Sequence, residues 1–559
     1  MKNGIKRSIS FLLVAAMGLG LTSPVMAADG FSSANDEARN VKADEIVLES
    51  PDENDGLSMK IWLEDGTPYY TVTLNGYNLV EKSKLGMNTN DIGSFENGFS
   101  MGEVKIKDVE NEPWEPVVGD YASVEDKYQE AVIPLTNENG TLTVEARIYD
   151  TGVAFRYDLP DVPDGKEDYI IGSSDEKTQF AFPEGTYAYR HIDQNQTKPS
   201  KTSVDNLGGN IYRPMTLTYE NGYAMTICEA NLDNYSILKL ENDSSNPRTA
   251  KVKLGGDVTV RANETYLESK HCTAPAGPDV SPWRVMVIGE SLTDLAGNAT
   301  LSQLLNEPAD ENTYAFSDWV EAGSANRLMH SDKNGGDANA LNNEFLEQAV
   351  DEAARRGYRY LLLDTGWQGP ENDPNCDPRL DPSKLEPDKY ESDKILKEQY
   401  FARPEEYENT FLKNGEGCFY TRGQGFNKYG SLGDGGDMQV DLDIPAACDY
   451  ANKKGVGIIL YVNGTRFFPD DMSGEGGRYR FTPDELFEYF ERWGVAGVKP
   501  GFVHCDSQDD ELYMQQVVEA AARHHLVLTV HDKWVPSGIE RTYPNLLSAE
   551  GIYGDEEKG

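Results

Sequence analysis

The sequence from residue 343 to residue 549 alternates helix-like segments with short apolar segments, and this alternation constrains the fold more than any other feature. The helix-like segments carry apolar side chains at helical spacing; some begin at capping residues such as Thr482 and Ser507, and several end at a glycine such as Gly494. The apolar segments that follow them are YRYLLLD, VGIILYVN, VAGVKPGF and LVLTVHD. Strands separated by helices pair in parallel, so the pattern predicts an α/β domain, and we expect a (β/α)8 TIM-type catalytic barrel.

The same region contains too few strands for a complete barrel. The predicted strands lie near Ala315–Trp319, Tyr360–Asp364, Val456–Val462, Val495–Phe502, Leu526–His531 and Leu546–Ala549. Because a closed barrel needs about eight strands, we expect the barrel over residues 311–559 to be incomplete at its C-terminal end. An irregular insertion at residues 368–437 is expected to cover the active-site face. None of the helices begins with a Gly-rich phosphate-binding motif, which argues against a nucleotide-binding open sheet.

Residues 28–280 are expected to form an all-β N-terminal domain, a β-sandwich. Runs such as LSMKIWLEDGTPYYTVTLNGYNL alternate apolar and polar side chains and are interrupted by Asp-Gly and Asn-Gly turns, which is typical of antiparallel strands. The polar stretch at residues 189–210 is predicted to be a long loop, either a solvated surface loop or one that reaches a neighbouring active site. Residues 281–310 are interpreted as a linker between the two domains.

Residues 1–27 have the pattern of a secretory signal peptide, with a basic beginning, the apolar run FLLVAAMGLGL and an expected cut after Ala27. We therefore expect a secreted or periplasmic protein, and no other segment is long and apolar enough to predict a membrane span. The net charge of −44 would repel nucleic acids and anionic membrane surfaces, so neither is expected as a partner. A neutral, hydroxyl-rich substrate such as a sugar is compatible with this charge, and so is a divalent cation.

Polar and aromatic side chains follow the ends of the predicted parallel strands, where a barrel brings them to one mouth. Glycoside hydrolysis needs this combination: one carboxylic acid protonates the leaving oxygen, a second carboxylate activates water or attacks carbon, and an aromatic ring stacks on the sugar. A surface or salt-bridged role explains any single acid equally well, so the joint placement carries the interpretation. The residues are Asp364, Trp367, Asn463, Lys499, His531, Asp532, Glu550 and Glu556.

Several ordered segments resemble glycoside hydrolase family 97, the family of the starch-utilisation α-glucosidase and related α-galactosidases. They include GVKPGF, VHD, PSGIERTYPNLLSAEGIYGDEE, LLLDTGW, SPWRVMVIGE, LNEPA and DTGVAFRYDLP, and the resemblance runs from about residue 45 to the last residue. It implies an N-terminal β-sandwich, a catalytic barrel and a C-terminal β-domain, the last of which would be missing here. It also implies action on α-glycosidic bonds and a calcium ion, Ca²⁺, beside the reaction centre.

The resemblance assigns roles position by position. Retaining members have an Asp nucleophile where this chain has Gly501, so the chain resembles the inverting members, which also have glycine there. Glu556 matches the general acid, Glu550 matches a calcium ligand, and Asp532 lies where the inverting members have a Glu that serves both calcium and water activation. Two positions depart from the pattern, because Asn463 replaces a further base Glu and Asp532 is one methylene shorter than Glu. Near the expected N-terminal calcium ligand, a Glu, this chain has Asp193, Gln194, Asn195 and Gln196.

The resulting hypothesis is a secreted hydrolase of α-linked glucosides or galactosides that inverts the anomeric configuration. Glu556 would be the acid and Asp532 the principal base, with Ca²⁺ held by Asp532, Glu550 and Glu556. Contacts to the oligosaccharide or glycoside substrate are expected from Asp364, Trp367, Asn463, Lys499 and His531. Tyr461 and Trp534 are, with Trp367, candidates for stacking on the sugar, and at least one of these aromatic residues is expected to lie in the core instead.

Two alternatives remain open at this point. A retaining α-galactosidase of the same family would need another carboxylate in place of Gly501, and Asp506 is the only near candidate. A catalytically silent carbohydrate-binding protein would account for the amide at Asn463. A protease or esterase is not supported, because the sequence has no GxSxG or HExxH motif.

Overall fold

The structure is a computed structural model that describes residues 38–52, 56–192, 198–267, 272–328, 343–364, 444–463, 482–501, 503 and 505–550. Several predictions fall outside the described residues. They are the signal peptide at residues 1–27, the insertion at residues 368–437, the calcium candidates at residues 193–196, the side chain of Asn463, and the residues Trp367 and Glu556.

The N-terminal half consists of antiparallel strands. They are β1 (Arg39–Val41), β2 (Glu45–Glu49), β3 (Leu57–Glu64), β4 (Thr67–Leu74), β5 (Tyr77–Lys84), β6 (Met87–Asn88), β7 (Ser94–Phe95), β8 (Ser100–Met101), β9 (Val104–Glu110), β10 (Lys127–Asn137), β11 (Gly140–Tyr149), β12 (Gly152–Asp158), β13 (Asp168–Ile171), β14 (Gln179–Ala181), β15 (Tyr187–Ile192), β16 (Ser200–Ser203), β17 (Ile211–Thr218), β18 (Ala224–Ala230), β19 (Leu238–Asn242), β20 (Thr249–Leu254), β21 (Val258–Arg261), β22 (Thr265–Leu267), β23 (Cys272–Ala274) and β24 (Trp283–Gly289).

Alternating side chains build the core of this half. In β4 every second residue is buried, and most of β11 follows the same pattern. A period of two places the apolar residues of each strand on one face, and these faces meet in one core that includes Tyr70, Phe155 and Phe180. The large antiparallel sheets fit the predicted β-sandwich.

The predicted linker at residues 281–310 is wrong over its first part. Trp283–Gly289 is the fully buried strand β24, which pairs with both β12 and β18 inside the large sheet. A strand buried on both faces has no polar alternation, so its sequence WRVMVIG lacks the usual signature of an antiparallel strand.

The predicted loop at residues 189–210 is also wrong in part. Strand β15 extends to Ile192 and pairs with both β16 and β17. The register shifts between Tyr189 and His191, and this irregularity interrupts the alternation on which the sequence reading relied.

The C-terminal half contains a parallel sheet of six strands in sequence order. The strands are β25 (Ala325–Leu328), β26 (Tyr360–Leu363), β27 (Gly457–Asn463), β28 (Gly497–Gly501), β29 (Val527–Val530) and β30 (Leu546–Ala549). The helices in the described residues are α1 (Leu292–Gly297), α2 (Leu301–Leu304), α3 (Glu311–Tyr314), α4 (Phe316–Trp319), α5 (Asn343–Arg356), α6 (Ile444–Lys453), α7 (Pro483–Trp493) and α8 (Gln508–Arg523).

Helices α5 to α8 precede strands β26 to β29 in turn, so the predicted helix-to-strand alternation is confirmed. Every neighbouring pair of strands in this sheet is parallel. The described strands form an open sheet of six, and the closed eight-stranded barrel is not formed by this part of the chain.

The first predicted strand, Ala315–Trp319, is wrong. Residues Phe316–Trp319 form the short helix α4, which starts after Ala315 in a left-handed conformation with φ 48°. Phe316 and Val320, four residues apart, pack together beside Ala522 of α8, which is a helical contact rather than a strand contact. The first strand of the sheet is β25, which begins ten residues later, at Ala325.

The helices cover the sheet with apolar faces. In α7 the buried residues are Leu486, Phe487, Phe490 and Trp493, at helical spacing. They join the apolar side chains of β26 to β29 in one core. Among the described helices, none has the length and apolar character needed to cross a membrane.

The antiparallel half packs directly against the end of the parallel sheet. Gln508, the first residue of α8, donates to the backbone carbonyls of Asn234 and Thr259 at 2.7 and 3.0 Å. Arg541 donates to the Asp126 carboxylate at 3.2 Å, and both side chains are buried. The loops at the strand ends are therefore shaped by residues from both halves.

Candidate active site

The carboxyl ends of β26 to β30 lie along one edge of the sheet. Asn463 is in register with Gly501, and Val530 is in register with Ala549. The His531 amide donates to the Pro500 carbonyl at 2.8 Å, which ties the end of β29 to β28. The strand-end residues predicted from sequence are thus brought to a common edge.

Three of them form a row at the ends of β29 and β30. His531 Nδ1 lies 2.9 Å from Asp532 Oδ1, and His531 Nε2 lies 2.5 Å from Glu550 Oε2. The side chains of His531, Asp532 and Glu550 are 18%, 22% and 28% exposed, so all three are accessible from solvent while still fixed by their neighbours. Such a row can orient a carboxylate for proton transfer.

Asp532 has an unusual backbone conformation, with φ at 69°. A non-glycine residue in the left-handed region costs about 1–3 kcal/mol and persists only where the surroundings hold it. The strand therefore turns sharply at Asp532, directly after His531.

Asp364 and Lys499 form a buried ion pair at the same edge. Lys499 Nζ donates to Asp364 Oδ2 at 2.9 Å, and the two residues are 6% and 4% exposed. Arg327 Nε donates to the same Oδ2 atom at 2.6 Å. Arg327 was missed in the sequence because its strand was predicted too early in the chain. The substrate contacts expected of Asp364 and Lys499 stay predictions.

Tyr461 fills the space in front of Gly501. A Cβ atom added at Gly501 would lie 2.4 Å from Tyr461 Cε2 and 2.8 Å from its hydroxyl oxygen. The Tyr461 side chain is itself buried and sits under Lys499 Nζ, which lies 5.9 Å from the ring centre. A side chain at position 501 would therefore need Tyr461 to move, and Tyr461 is poorly placed to stack on a sugar.

Trp534 and Asp506 have structural contacts. Trp534 is 3% exposed and donates its indole N–H to Glu511 Oε2 at 3.0 Å, so it is a core aromatic rather than a stacking platform. Asp506 Oδ2 accepts from Lys239 Nζ at 2.7 Å and from the Tyr212 hydroxyl at 3.0 Å. Both donors come from the N-terminal half, so Asp506 joins the two halves.

Glu511 is a buried acid that the sequence reading missed. Burial raises its pKa to about 8, against the opposing effects of the Arg213 charge and the Trp534 hydrogen bond. Glu511 lies inside a regular amphipathic helix, α8, whose sequence does not reveal that this acid is buried. The groups around Glu511 come from distant parts of the chain.

The residues proposed for calcium suit its chemistry in part. Calcium takes oxygen ligands, about 6–8 in number, and Asp532 and Glu550 offer carboxylates at adjacent strand ends. Within the described residues no group of three or more His, Cys, Asp or Glu side chains is arranged to hold a metal. A complete site would also need residues such as Glu556, which lies outside them.

A parallel sheet with an acidic row at its carboxyl edge, joined to an antiparallel domain, is an arrangement that fits a glycoside hydrolase. The family profile "Glycosyl-hydrolase 97 N-terminal" matches residues 48–308, and the profile "Glycoside hydrolase 97" matches residues 417–552. The chain belongs to glycoside hydrolase family 97. This favours an enzyme over the carbohydrate-binding alternative.

Two curated relatives are each 24% identical to the chain. One is a "Probable retaining alpha-galactosidase" of Streptomyces bingchenggensis, where the match covers 100% of this chain and 72% of the relative. The other is a "Retaining alpha-galactosidase" of Bacteroides thetaiotaomicron, with 92% and 68% covered.

Solved structures share the fold. A family 97 enzyme from Pseudoalteromonas sp. strain K8, in complex with acarbose, aligns with a TM-score of 0.66 at 20% identity, over 91% of this chain and 70% of that one. A β-arabinopyranosidase aligns with a TM-score of 0.64 at 20% identity, over 92% and 71%.

Proposed function

We propose that this glycoside hydrolase cleaves α-galactosides, with α-glucosides as the second substrate class. The names of the two curated relatives support α-galactosides, and the acarbose complex of a structural neighbour supports recognition of glucose-type oligosaccharides. The observation that carries the proposal is the partly exposed row of Asp532, His531 and Glu550 at the ends of neighbouring strands. The signal-peptide pattern at residues 1–27 supports export to the periplasm or the medium.

Inversion is the mechanism that the strand ends favour. A retaining enzyme needs a carboxylate that attacks the anomeric carbon, and Gly501 has no side chain, while Tyr461 fills the space where one would project. Asp506, the other carboxylate considered, is held by Lys239 and Tyr212. A water molecule would then be the nucleophile.

In this mechanism Glu556 gives its proton to the glycosidic oxygen as the bond to the anomeric carbon breaks. Asp532 accepts a proton from the water that attacks the opposite face of the sugar. His531, in contact with the Asp532 carboxylate, orients that carboxylate. Calcium, held by Asp532, Glu550 and Glu556, would stabilise negative charge in the site.

The test is the anomer first released from an α-galactoside and from an α-glucoside, followed by proton NMR. Initial release of the β-anomer is expected. Initial release of the α-anomer would contradict inversion and make the retaining mechanism of the curated relatives the better account. Repeating the assay after chelation tests whether turnover needs calcium. Melting temperatures with and without the chelator test whether calcium binds, because a bound ion should raise the melting temperature.

A retaining α-galactosidase is the second candidate, and the names of the two relatives are the observation that favours it. The two candidates predict opposite anomers from the same substrate. An Asp532→Asn variant tests the base assigned under inversion, which predicts that the variant loses turnover while binding of galactose persists.

A further inference from the structure

A chain of four buried charges runs through the core of the N-terminal half. Arg284 donates to Glu176 from Nε at 2.8 Å and from Nη2 at 2.5 Å, and to Glu229 from Nη1 at 2.9 Å. Glu229 also contacts Arg213 Nε. Positive and negative charges alternate along this chain, so every charge is compensated although all four side chains are buried.

Arg213, at one end of the chain, leaves the antiparallel half and reaches the loop after β29. Its Nη2 donates to the Val535 carbonyl at 2.9 Å, and its Nη1 donates to the Pro536 carbonyl at 3.3 Å. The planar guanidinium makes both contacts from a single fixed orientation. The space left between Arg213, Cys505 and Val535 is a cavity of about 10 Å³, which is room for one water molecule at most.

The same loop has two more attachments. The Trp534 indole donates to Glu511. The Ser537 carbonyl accepts from the Asn306 amide at 2.8 Å and from the Asn231 backbone N–H at 3.1 Å. Consecutive residues from Trp534 to Ser537 are thus held by fixed groups, and all of these attachments follow within five residues of Asp532.

Asp532 needs such support. Its left-handed backbone conformation is uncommon for a non-glycine residue, although aspartate adopts it more readily than most, and the contacts on either side must keep the backbone in that narrow region. On the N-terminal side of Asp532, the backbone is held by the sheet, because the His531 amide donates to the Pro500 carbonyl. On its C-terminal side they come from the loop that Arg213 holds.

We propose that Arg213 is a positioning residue for catalysis: it fixes the loop at residues 533–537, and thereby holds Asp532 beside His531 at the strand end. Arg213 thus acts on the reaction through this loop. The catalytic consequence rests on the proposed role of Asp532. A shift of about 1 Å in a reacting group can lower a rate about 100-fold, so small movements of this loop matter.

The experiment compares Arg213→Lys with Arg284→Lys. Each keeps the buried charge but loses the forked geometry, and only Arg213 contacts the loop. We expect both variants to melt at lower temperature. We expect only Arg213→Lys to lower kcat on 4-nitrophenyl α-galactoside, by about 10- to 100-fold with little change in KM. Hydrogen exchange followed by mass spectrometry should show faster exchange at residues 531–537 in that variant alone.

Two double variants keep the test decisive if a single variant does not fold. Each removes one positive and one negative buried charge, so the net charge of the core is unchanged. R213Q/E229Q leaves Glu176 with Arg284, whereas R284Q/E176Q leaves Arg213 with Glu229, so neither has an uncompensated buried charge. The proposal expects slower turnover and faster loop exchange in the first double variant only. Equal effects in both would overturn it.

The two readouts separate this proposal from the function on which it rests. Faster exchange at residues 531–537 with unchanged kcat would overturn the catalytic consequence, whereas turnover of Asp532→Asn tests the role of Asp532 by itself. A lowered kcat with unchanged exchange would overturn the positioning step while leaving Asp532 as the base.

Discussion

At the residue scale, Asp364 is held at the sheet edge by two cations, because one of its oxygens accepts from both Lys499 and Arg327. Removing one partner of a buried ion pair costs about 3–5 kcal/mol, since the remaining charge stays buried. Asp364→Asn leaves two cations facing an amide, whereas Lys499→Met leaves Asp364 paired with Arg327.

We therefore predict that Asp364→Asn lowers the free energy of unfolding by about 3–5 kcal/mol, and that Lys499→Met lowers it by less. Urea unfolding of the two variants and the parent measures the difference. If Asp364 also contacts the substrate, its variant should show a raised KM at a temperature where it is folded. If Lys499→Met were the less stable of the two variants, Lys499 would have to make stabilising contacts other than its ion pair with Asp364.

The candidate site could be predicted in part from single residues. His531, Asp532 and Glu550 are predictable from sequence because they lie at or just after the ends of apolar strands, and parallel strands end at one edge. For Tyr461 and Trp534 the sequence leaves both a stacking role and a core position open, because an aromatic residue near a strand end has the same sequence signature whether it faces a ligand or the core. Their burial depends on Gly501 and Glu511, which are distant in sequence.

At the scale of single elements, capping residues were the most reliable guide. Helix α7 begins after Thr482 and ends at Gly494, as the sequence predicted, because a cap depends on side chains within a few residues of it. The errors at Ala315–Trp319 and Trp283–Gly289 have a different origin. Both segments take their conformation from what packs on them, which is α8 in one case and two sheet strands in the other.

The cap of α7 gives a prediction at this scale. The Thr482 hydroxyl accepts from the Glu485 amide at 3.2 Å, and the Glu485 carboxylate accepts from the Thr482 amide at 2.8 Å. Thr482→Ala should lower the free energy of unfolding by about 1 kcal/mol, measured by urea unfolding. Thr482→Ser keeps the hydroxyl and should behave like the parent. If the serine variant is as unstable as the alanine variant, the methyl group of Thr482 matters rather than the cap.

At the scale of the whole molecule, the two halves are joined by buried polar contacts that no local pattern in the sequence reveals. Arg213 and Val535, which share a hydrogen bond, are 322 positions apart. Such pairs are neighbours in the folded protein although they are distant in sequence. The architecture was therefore predictable from local periodicity, whereas the support of the Asp532 loop was not.

Glu511 lies near Arg213, where the two halves meet, and should make the free energy of unfolding depend on pH. Its pKa is raised to about 8 by burial; Arg213 and the Trp534 indole lower it, and Glu229 and Asp510 raise it. Burial raises the pKa of the nearby Cys505 thiol well above its ordinary value, so the thiol stays protonated across neutral pH. In the unfolded chain Glu511 ionises near pH 4.5. Between these two values the folded state binds the extra proton, so stability must fall as pH rises through this window.

We predict that the parent loses on the order of 4 kcal/mol of unfolding free energy, relative to Glu511→Gln, between about pH 4.5 and about pH 8. The glutamine carries no titrating proton, so the difference between the two proteins isolates this group. Urea unfolding of both across the window measures it. Glu352→Gln is the matched control, because arginine contacts hold the pKa of Glu352 at about 2, and its effect on stability should not vary there. A parent-minus-variant difference that is flat with pH would show that water or a rearranged partner solvates Glu511 in the folded protein.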